Sequence, residues 1–524
     1  MKHKFDVIIV GSGPAGTSAA YPLVQSGLRV LMVDAQCAAD SPAAPDSPYI
    51  LNRESNEQQW KWMIGERFHA LEKLEAVSPK LRTPTHAYVF ENYDTANLIR
   101  SEDFIVVGSL ATGGLSNAWG CGVARLSASE FSGLPIPYEE MEKSYETVSR
   151  RMGISGNADD DLSDYFGLDE WSQPALPLDK LHQRLYQNYS KLQARLPKSG
   201  FRLGRSRVAV LSKDLDGRKA CDSLGNCLWG CHNQSLYSAS QELAKLKQYP
   251  GFQHIQGMLV HDFFKSDDLW TVTDKHTTQE FSGRRLLLAA GTLASTRLTL
   301  KRLGHTSPLP LLSSPTAAFL LWLPKMLGTP RVSTFGLGQL SFALDLVPGV
   351  TAFGSTFSTT GLPVSEFASR LPMSKRYSIE LLKNLLSSCL VGNLFLPGQL
   401  SENTVALGDN GALLVKGKER EETATIMKIA QKKLRKYYFK MGALLMPMSF
   451  SIGKPGADIH YAGTFPMHST PQVGQTDILG EVAGLPGVHL IDGSCLPKIT
   501  EKSHTLTIMA NADRIGRKLA LEQY

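Results

Sequence analysis

The chain has no window of roughly 18 uninterrupted apolar residues, the length a membrane-spanning helix needs. No spanning helix is expected. Cysteine is scarce: seven residues in 524, an odd count with no even ladder of spacings. That excludes a disulfide framework as the support of the fold. Charge of one sign is scarce as well. With 55 Lys and Arg against 49 Asp and Glu, a net +6 is spread over a large surface. This is too thin for a nucleic-acid footprint, though it suits an anionic substrate or a membrane surface. The most basic stretch, Glu421 to Lys440 with Lys432, Lys433, Arg435, Lys436 and Lys440, lacks flanking aromatic runs. It reads as a helix with a solvated basic face. Nor is this the composition of a disordered chain, since 42% of residues are apolar and 20% charged. The length calls for two joined domains. Lys2-His3-Lys4 imitates the start of a secretory leader, but the apolar run behind it is short, contains Asp6 and enters a glycine turn. A cytoplasmic protein is expected.

What is present begins at once. Phe5-Asp6-Val7-Ile8-Ile9-Val10 is an apolar run of strand type ending in Gly11, Gly13 and Gly16, spaced G-x-G-x-x-G. A helical pattern over Thr17–Ser26 follows, then the run Arg29–Val33 closed by Asp34. Gly11 allows the tight turn, Gly13 lets a pyrophosphate approach the backbone, and Gly16 lets helix and strand pack closely. The helix N-terminus faces the phosphates, and Asp34 can accept from a ribose hydroxyl. Pro14, Ala15 and Ala35 join these residues as cofactor-binding candidates. The unit predicts a dinucleotide site.

Further along, the segment from Gly108 to Gly120 is rich in small residues and suits a loop lying against a planar ligand. Gly113, Gly114, Ser116, Asn117, Trp119 and Gly120 are its candidate contacts. A helix is expected over Glu66–Val77 and another from about Pro137 to Met152. Arg284 to Thr292 reads as a buried strand ending in glycine, followed by a helix over Leu293–Leu303, so Leu259, Ala290 and Gly291 are placed beside the same ligand. Residues 311–480 are the least readable. Ala317–Leu327 and Ser378–Leu390 are expected to be core helices of a substrate domain, with a lipid-facing role as the alternative because Lys375, Arg376 and Lys383 lie close by.

The closing region carries His460 just before Gly463-Thr464, a strand ending at Asp492-Gly493-Ser494, and Ser503-His504-Thr505-Leu506 opening a terminal helix. Together with the first glycine turn, the glycine-rich loop and the Gly291 strand, this pattern resembles the glucose–methanol–choline oxidoreductase family. The resemblance implies a Rossmann-like FAD-binding domain with an α+β substrate-binding domain, an α/β fold overall. The FAD domain would comprise 1–45, 100–130, 205–310 and 481–524. Intervening segments or a lid would take 46–99 and 131–204, and the substrate domain 311–480. It also implies FAD as cofactor, with His460 as the catalytic histidine and His504 as its partner. Asp492 and Gly493 would lie at the pyrophosphate, and His504, Thr505 and Leu506 beside the flavin. His468 and His489 are left as structural.

The chemistry suits those residues. Oxidising an alcohol requires removal of the hydroxyl proton as the C–H hydride departs to flavin N5. A neutral imidazole is a suitable base, and a second imidazole on the same oxygen positions it.

Cys221, Cys227 and Cys231 are spaced C-x5-C-x3-C. A cytosolic disulfide does not suit them, a zinc site would need His232 as fourth ligand, and buried free thiols are the plain reading. The same spacing resembles the iron–sulfur sugar dehydrogenases of the family, which implies a 3Fe-4S cluster that takes electrons from the flavin. By that resemblance a sugar or polyol is the expected substrate, with a protein or quinone as electron acceptor and no nucleic-acid partner. A lipid-linked alcohol oxidised at the inner membrane face is one alternative, and a non-catalytic flavin-binding or assembly subunit the other.

Overall fold

The structure, a computed structural model, describes residues 4–35, 45–66, 68, 78–193, 200–362, 364–368 and 371–522. The helix expected over Glu66–Val77 lies almost wholly outside them.

Strand Lys4–Val10 is continuously apolar from Val7 because it is central in its sheet, buried on both faces. It pairs in parallel with Val30–Val33 on one side and Glu280–Leu288 on the other. Phe252–Ile255 extends the sheet beyond Val30–Val33, also in parallel. The far edge of Glu280–Leu288 is shared. Its first half pairs antiparallel with Leu269–Asp274, which forms a hairpin with Val260–Ser266, and its second half pairs in parallel with Val488–Leu490. Helices Pro14–Gln25 and Thr505–Leu521 pack together over this sheet, and Gly516 allows the approach: a Cβ there would sit 2.6 Å from the Ala19 carbonyl oxygen.

A second sheet runs in the spatial order Leu444–Leu445, Thr316–Trp322, Cys389–Phe395, Val350–Ser358, Leu340–Val347 and Phe201–Arg205, with Ser451–Ile452 also on the edge of Thr316–Trp322. Its pairings are antiparallel throughout. Here the structure corrects the sequence reading. Residues 316–322 are a strand, and the stretch from Ser378 divides into helix Lys375–Leu385 and strand Cys389–Phe395. The physical reason is alternation hidden by an apolar composition. Ala317, Phe319 and Leu321 face one hydrophobic cluster, while Thr316 and Ala318 face a cavity on the other side. Two apolar faces erase the polar beat that marks an ordinary strand.

Helix Glu421–Lys440 covers the closed face of this sheet. Ile426, Met427, Ala430, Leu434 and Tyr438 recur at helical spacing and pack on Phe319, Phe342 and Leu390. The opposite face, bearing Ala318, Ser341, Ser355, Val391 and Asn393, roofs the cavity.

Arg207 joins the two halves. It follows strand Phe201–Arg205 directly, its carbonyl accepts from the Val123 N–H at 3.0 Å, and it is 1% exposed. Its guanidinium bridges Asp160 at 3.0 Å and Asp169 at 2.7 Å and donates to Ser163 Oγ. Truncation would leave buried carboxylates without their cation, a loss of about 3–5 kcal/mol. Arg207→Ala is therefore expected to lower the thermal midpoint by several degrees in differential scanning fluorimetry. An unchanged midpoint would mean that the bridge is not what couples the sheets.

Candidate functional site

A cavity of about 510 Å³ lies between the carboxyl ends of the parallel strands and the open face of the second sheet. The first glycine turn forms its floor. Gly11 has φ +100°, and a Cβ there would lie 2.5 Å from the Ala289 carbonyl oxygen, so only glycine fits against the neighbouring strand end. Gly13, the N-cap of helix Pro14–Gln25, has open space where its Cβ would be, so backbone amides at the helix start are accessible to a ligand. Pro14, Ala15, Asp34 and Ala35 also line the cavity. Farther round, so do Gly114, Ser116, Trp119 and Gly120, then Leu259, Ala290 and Gly291. Asp492, Gly493, His504 and Thr505 complete the ring.

Four of the expected contact residues stand behind this wall. Gly16 packs helix on strand, its missing Cβ only 2.0 Å from the Gly11 carbonyl oxygen. Gly113 donates its N–H to Ser12 Oγ at 2.9 Å. Asn117 staples its loop, donating to the Thr112 and Gly114 carbonyls and accepting from Ser238 Oγ at 2.7 Å. Leu506 is buried in the main hydrophobic core. Each shapes the wall without facing the ligand space.

The two acids are held by protein donors. Asp34 accepts the Ser12 N–H at 2.8 Å and lies 2.7 Å from His254 Nε2. His254 comes from strand Phe252–Ile255, and nothing in its sequence neighbourhood marks it. Asp492 accepts from the Gly291 N–H at 3.0 Å, Ser295 Oγ at 2.5 Å, the Ser494 N–H at 3.0 Å and Ser494 Oγ at 2.6 Å. It ties the Gly291 turn to the Gly493 turn. Burial pushes its pKa up against those hydrogen bonds.

His460 and His504 meet at the cavity wall, ring centroids 5.0 Å apart and nearly perpendicular at 71°. Phe395 lies 5.1 Å from the His460 ring on another side. Three anchors fix the segment carrying His460. The Tyr461 hydroxyl accepts from the Val107 N–H and lies 2.6 Å from the Ile105 carbonyl. Thr292 Oγ1 donates to the Tyr461 carbonyl at 2.7 Å. The Gly463 N–H donates to the Gly493 carbonyl at 3.0 Å. His504 is the N-cap of the terminal helix. Burial pushes the His460 imidazole down to about 4. Burial, with His460 beside it, takes His504 to about 3. Both rings are neutral at physiological pH. His489 Nδ1 donates to the Leu479 carbonyl, 3.0 Å away, and His468 is hydrogen-bonded at Thr470.

Two lining residues escaped the sequence reading. Lys80, 6% exposed, donates to the Trp119 carbonyl at 2.8 Å from a stretch with no readable pattern. Asp458 lies two residues before His460, a proximity that could have flagged it.

Of the three clustered cysteines, Cys227 is buried and Cys221 and Cys231 are half-buried. Among the described residues, no three His, Cys, Asp or Glu side chains converge as a metal site. Cys227 is buried with its Sγ accepting the Gly336 N–H at 3.4 Å. Burial raises its thiol pKa strongly and that of Cys221 to about 11.

Among the described residues, no helix is long and apolar enough to cross a membrane. Residues 5–99 match the family described as pyridine nucleotide-disulphide oxidoreductase. A search of curated proteins finds no match. Among solved structures, the crystal structure of pyridoxine 4-oxidase from Mesorbium loti shares the fold with a TM-score of 0.62 at 14% sequence identity. That alignment covers 99% of this chain and 100% of the other. The fold is thus α/β, a Rossmann-like dinucleotide-binding domain joined to a second sheet.

Proposed function

We propose that this chain binds FAD and oxidises an alcohol to a carbonyl, with His460 as base and His504 as its partner. The observation that carries this reading is the pair of half-buried, neutral imidazoles at the wall of a cavity whose floor is the dinucleotide turn. Accessible amides at the helix start suit the pyrophosphate, and the small residues Gly114, Ser116 and Gly120 leave room for a flat ring system. When bound, FAD supplies the acceptor for the substrate hydride.

The protein's part is proton handling and geometry. The hydroxyl proton passes to His460 while the C–H bond breaks, and the O–H electron pair becomes the second bond of the carbonyl. His504 donates to the same oxygen and steadies the developing negative charge. The roof excludes water and holds the alcohol close to both rings.

Ser341, Ser355 and Asn393 face the cavity from the roof, which favours a sugar or polyol. A second reading, a primary alcohol on an aromatic ring of the kind named in pyridoxine 4-oxidase, is favoured by Phe353, Phe357 and Phe395 on the same wall. No electron step is routed through the cysteines. Dioxygen, a quinone or a soluble carrier is the proposed final acceptor.

Protein purified with its flavin and mixed anaerobically with a panel of sugars, polyols and aromatic alcohols is expected to bleach with at least one of them. His460→Ala should slow that bleaching by roughly 10²–10⁴-fold with flavin content intact. Bound flavin that no alcohol bleaches would instead support the assembly-subunit reading.

The depressed histidines also fix a pH dependence. Their folded pKa values of about 4 and 3 lie below the unfolded value near 6.5, so the unfolded chain binds more protons on these rings. Their contribution to stability is complete above about 6.5 and is lost as pH falls toward 4. The double variant His460→Gln/His504→Gln is expected to lose less thermal stability between pH 7 and 4.5 than wild type. Equal losses would show that these rings are not protonated on unfolding.

A further inference from the structure

Asp458 is buried beside the half-buried His460 and is only partly satisfied. Its side chain has no exposed surface, and Oδ2 accepts the Ser314 N–H at 2.5 Å. Oδ1 has no hydrogen-bond partner, and neither has His460 Nδ1. The two groups face each other, with Nδ1 and Oδ2 3.9 Å apart. A carboxylate with an unpartnered oxygen and a ring with an unpartnered nitrogen, set this close, are costly separately and satisfied together.

The backbone between them is built for this juxtaposition. Ile459 has φ +62°, a left-handed conformation that a β-branched side chain adopts only under strain. In an extended strand, residues 458 and 460 would share a face some 7 Å apart at Cα. The left-handed turn at Ile459 shortens that span and brings both side chains into one pocket. Gly456 accepts the Ile459 N–H at 3.1 Å, and the Tyr461 hydroxyl anchors the turn from the other side.

Resting on the reading of His460 as base, we propose that Asp458 is its positioning residue. Its carboxylate accepts Nδ1–H of His460 and so fixes the tautomer that leaves Nε2 free for the substrate's hydroxyl proton. The 3.9 Å separation closes to a hydrogen bond by a small rotation, as catalytic contacts commonly tighten on substrate binding. Once the hydroxyl proton has moved to Nε2, the imidazolium is held by the opposite charge. The proton on Nδ1 stays where it is, and the one on Nε2 leaves to solvent after the carbonyl product departs.

The groups facing the pair are His504, Tyr461 and Glu419, the last adding to the upward push on Asp458. Burial is the main cause, taking Asp458 up to about 8, with the Ser314 hydrogen bond opposing it. The carboxylate, the working form, is therefore present above about pH 8 and is lost as pH falls through that value. The rate of flavin bleaching by alcohol should rise with pH through the same range.

The test uses the flavin-loaded protein as wild type, Asp458→Asn, Asp458→Ala and His460→Ala. Asn keeps the shape and still accepts the Ser314 N–H, but it does not ionise. Anaerobic bleaching by Asp458→Asn at pH 9 is expected to be slower by roughly 10- to 100-fold, with the limb near pH 8 gone and flavin content unchanged. A second readout needs no substrate. In ¹⁵N-histidine spectra, with the His460 signal assigned by its absence in His460→Ala, wild type at pH 9 should show Nδ1 protonated and Nε2 bare. Asp458→Ala should shift that balance toward Nε2–H. Wild-type His460 carrying its proton on Nε2 at pH 9, or a tautomer indifferent to Asp458→Ala, overturns the proposal. If His460→Ala is inactive while Asp458→Asn keeps the wild-type rate and pH profile, Asp458 alone loses its role. If His460→Ala bleaches as fast as wild type, the base assignment fails and takes the positioning role with it.

Discussion

The molecule depends on one register. Strands Lys4–Val10, Glu280–Leu288 and Val488–Leu490 pair in parallel so that Val10, Leu288 and Leu490 stand in one row at the carboxyl edge of the sheet. Each strand then turns within a few residues, at Gly11, Gly291 and Asp492. Residues some 200 positions apart in the chain thereby meet around one cavity. In an open parallel sheet the strand ends are where backbone amides and helix N-termini point outward together, so this edge suits an anionic dinucleotide. Asp492 welds two of the three turns with four hydrogen bonds, and Gly11 lets the third lie against Ala289. A side chain at Gly11 would push the strand ends apart before it reached a ligand.

The second sheet turns that edge into a closed chamber. Its residues alternate between the cluster under helix Glu421–Lys440 and the cavity roof, so one element supplies both cohesion and a substrate-facing surface. A one-residue slip of any central strand would exchange those faces. Arg207, tied to the segment after the glycine-rich loop and to two acids of the intervening region, keeps roof and floor in a fixed relation.

What was legible in the sequence was whatever repeats a local rule. The strand–glycine–helix–strand–acid unit can be read from about thirty consecutive residues because its geometry is local. Helix Glu421–Lys440 was legible from its periodicity. Thr316–Trp322 was not, since a strand covered on both faces carries the apolar run of a buried helix. His254 was illegible for a different reason. It reaches Asp34 across two strands, and only the pairing of Phe252–Ile255 with Val30–Val33 brings them together. Asn117 and Leu506 show the converse, in segments that line the cavity while these side chains bond within their own loop or pack in the core.

Burial poses the site a chemical difficulty that its neighbours resolve. Excluding water keeps His460 neutral and so available, but a ring held near pKa 4 is a weak base for an alcohol proton. The same burial holds the nearest acid uncharged to about 8. Each group alone is poorly suited to the task, and both are costly to bury. Set against each other across the strained turn at Ile459, they compensate. Ionising the acid restores basicity to the ring, and protonating the ring gives the buried carboxylate its counter-charge. The charge on the pair then appears only as a proton leaves the substrate, which is when a water-poor chamber gains most from holding it.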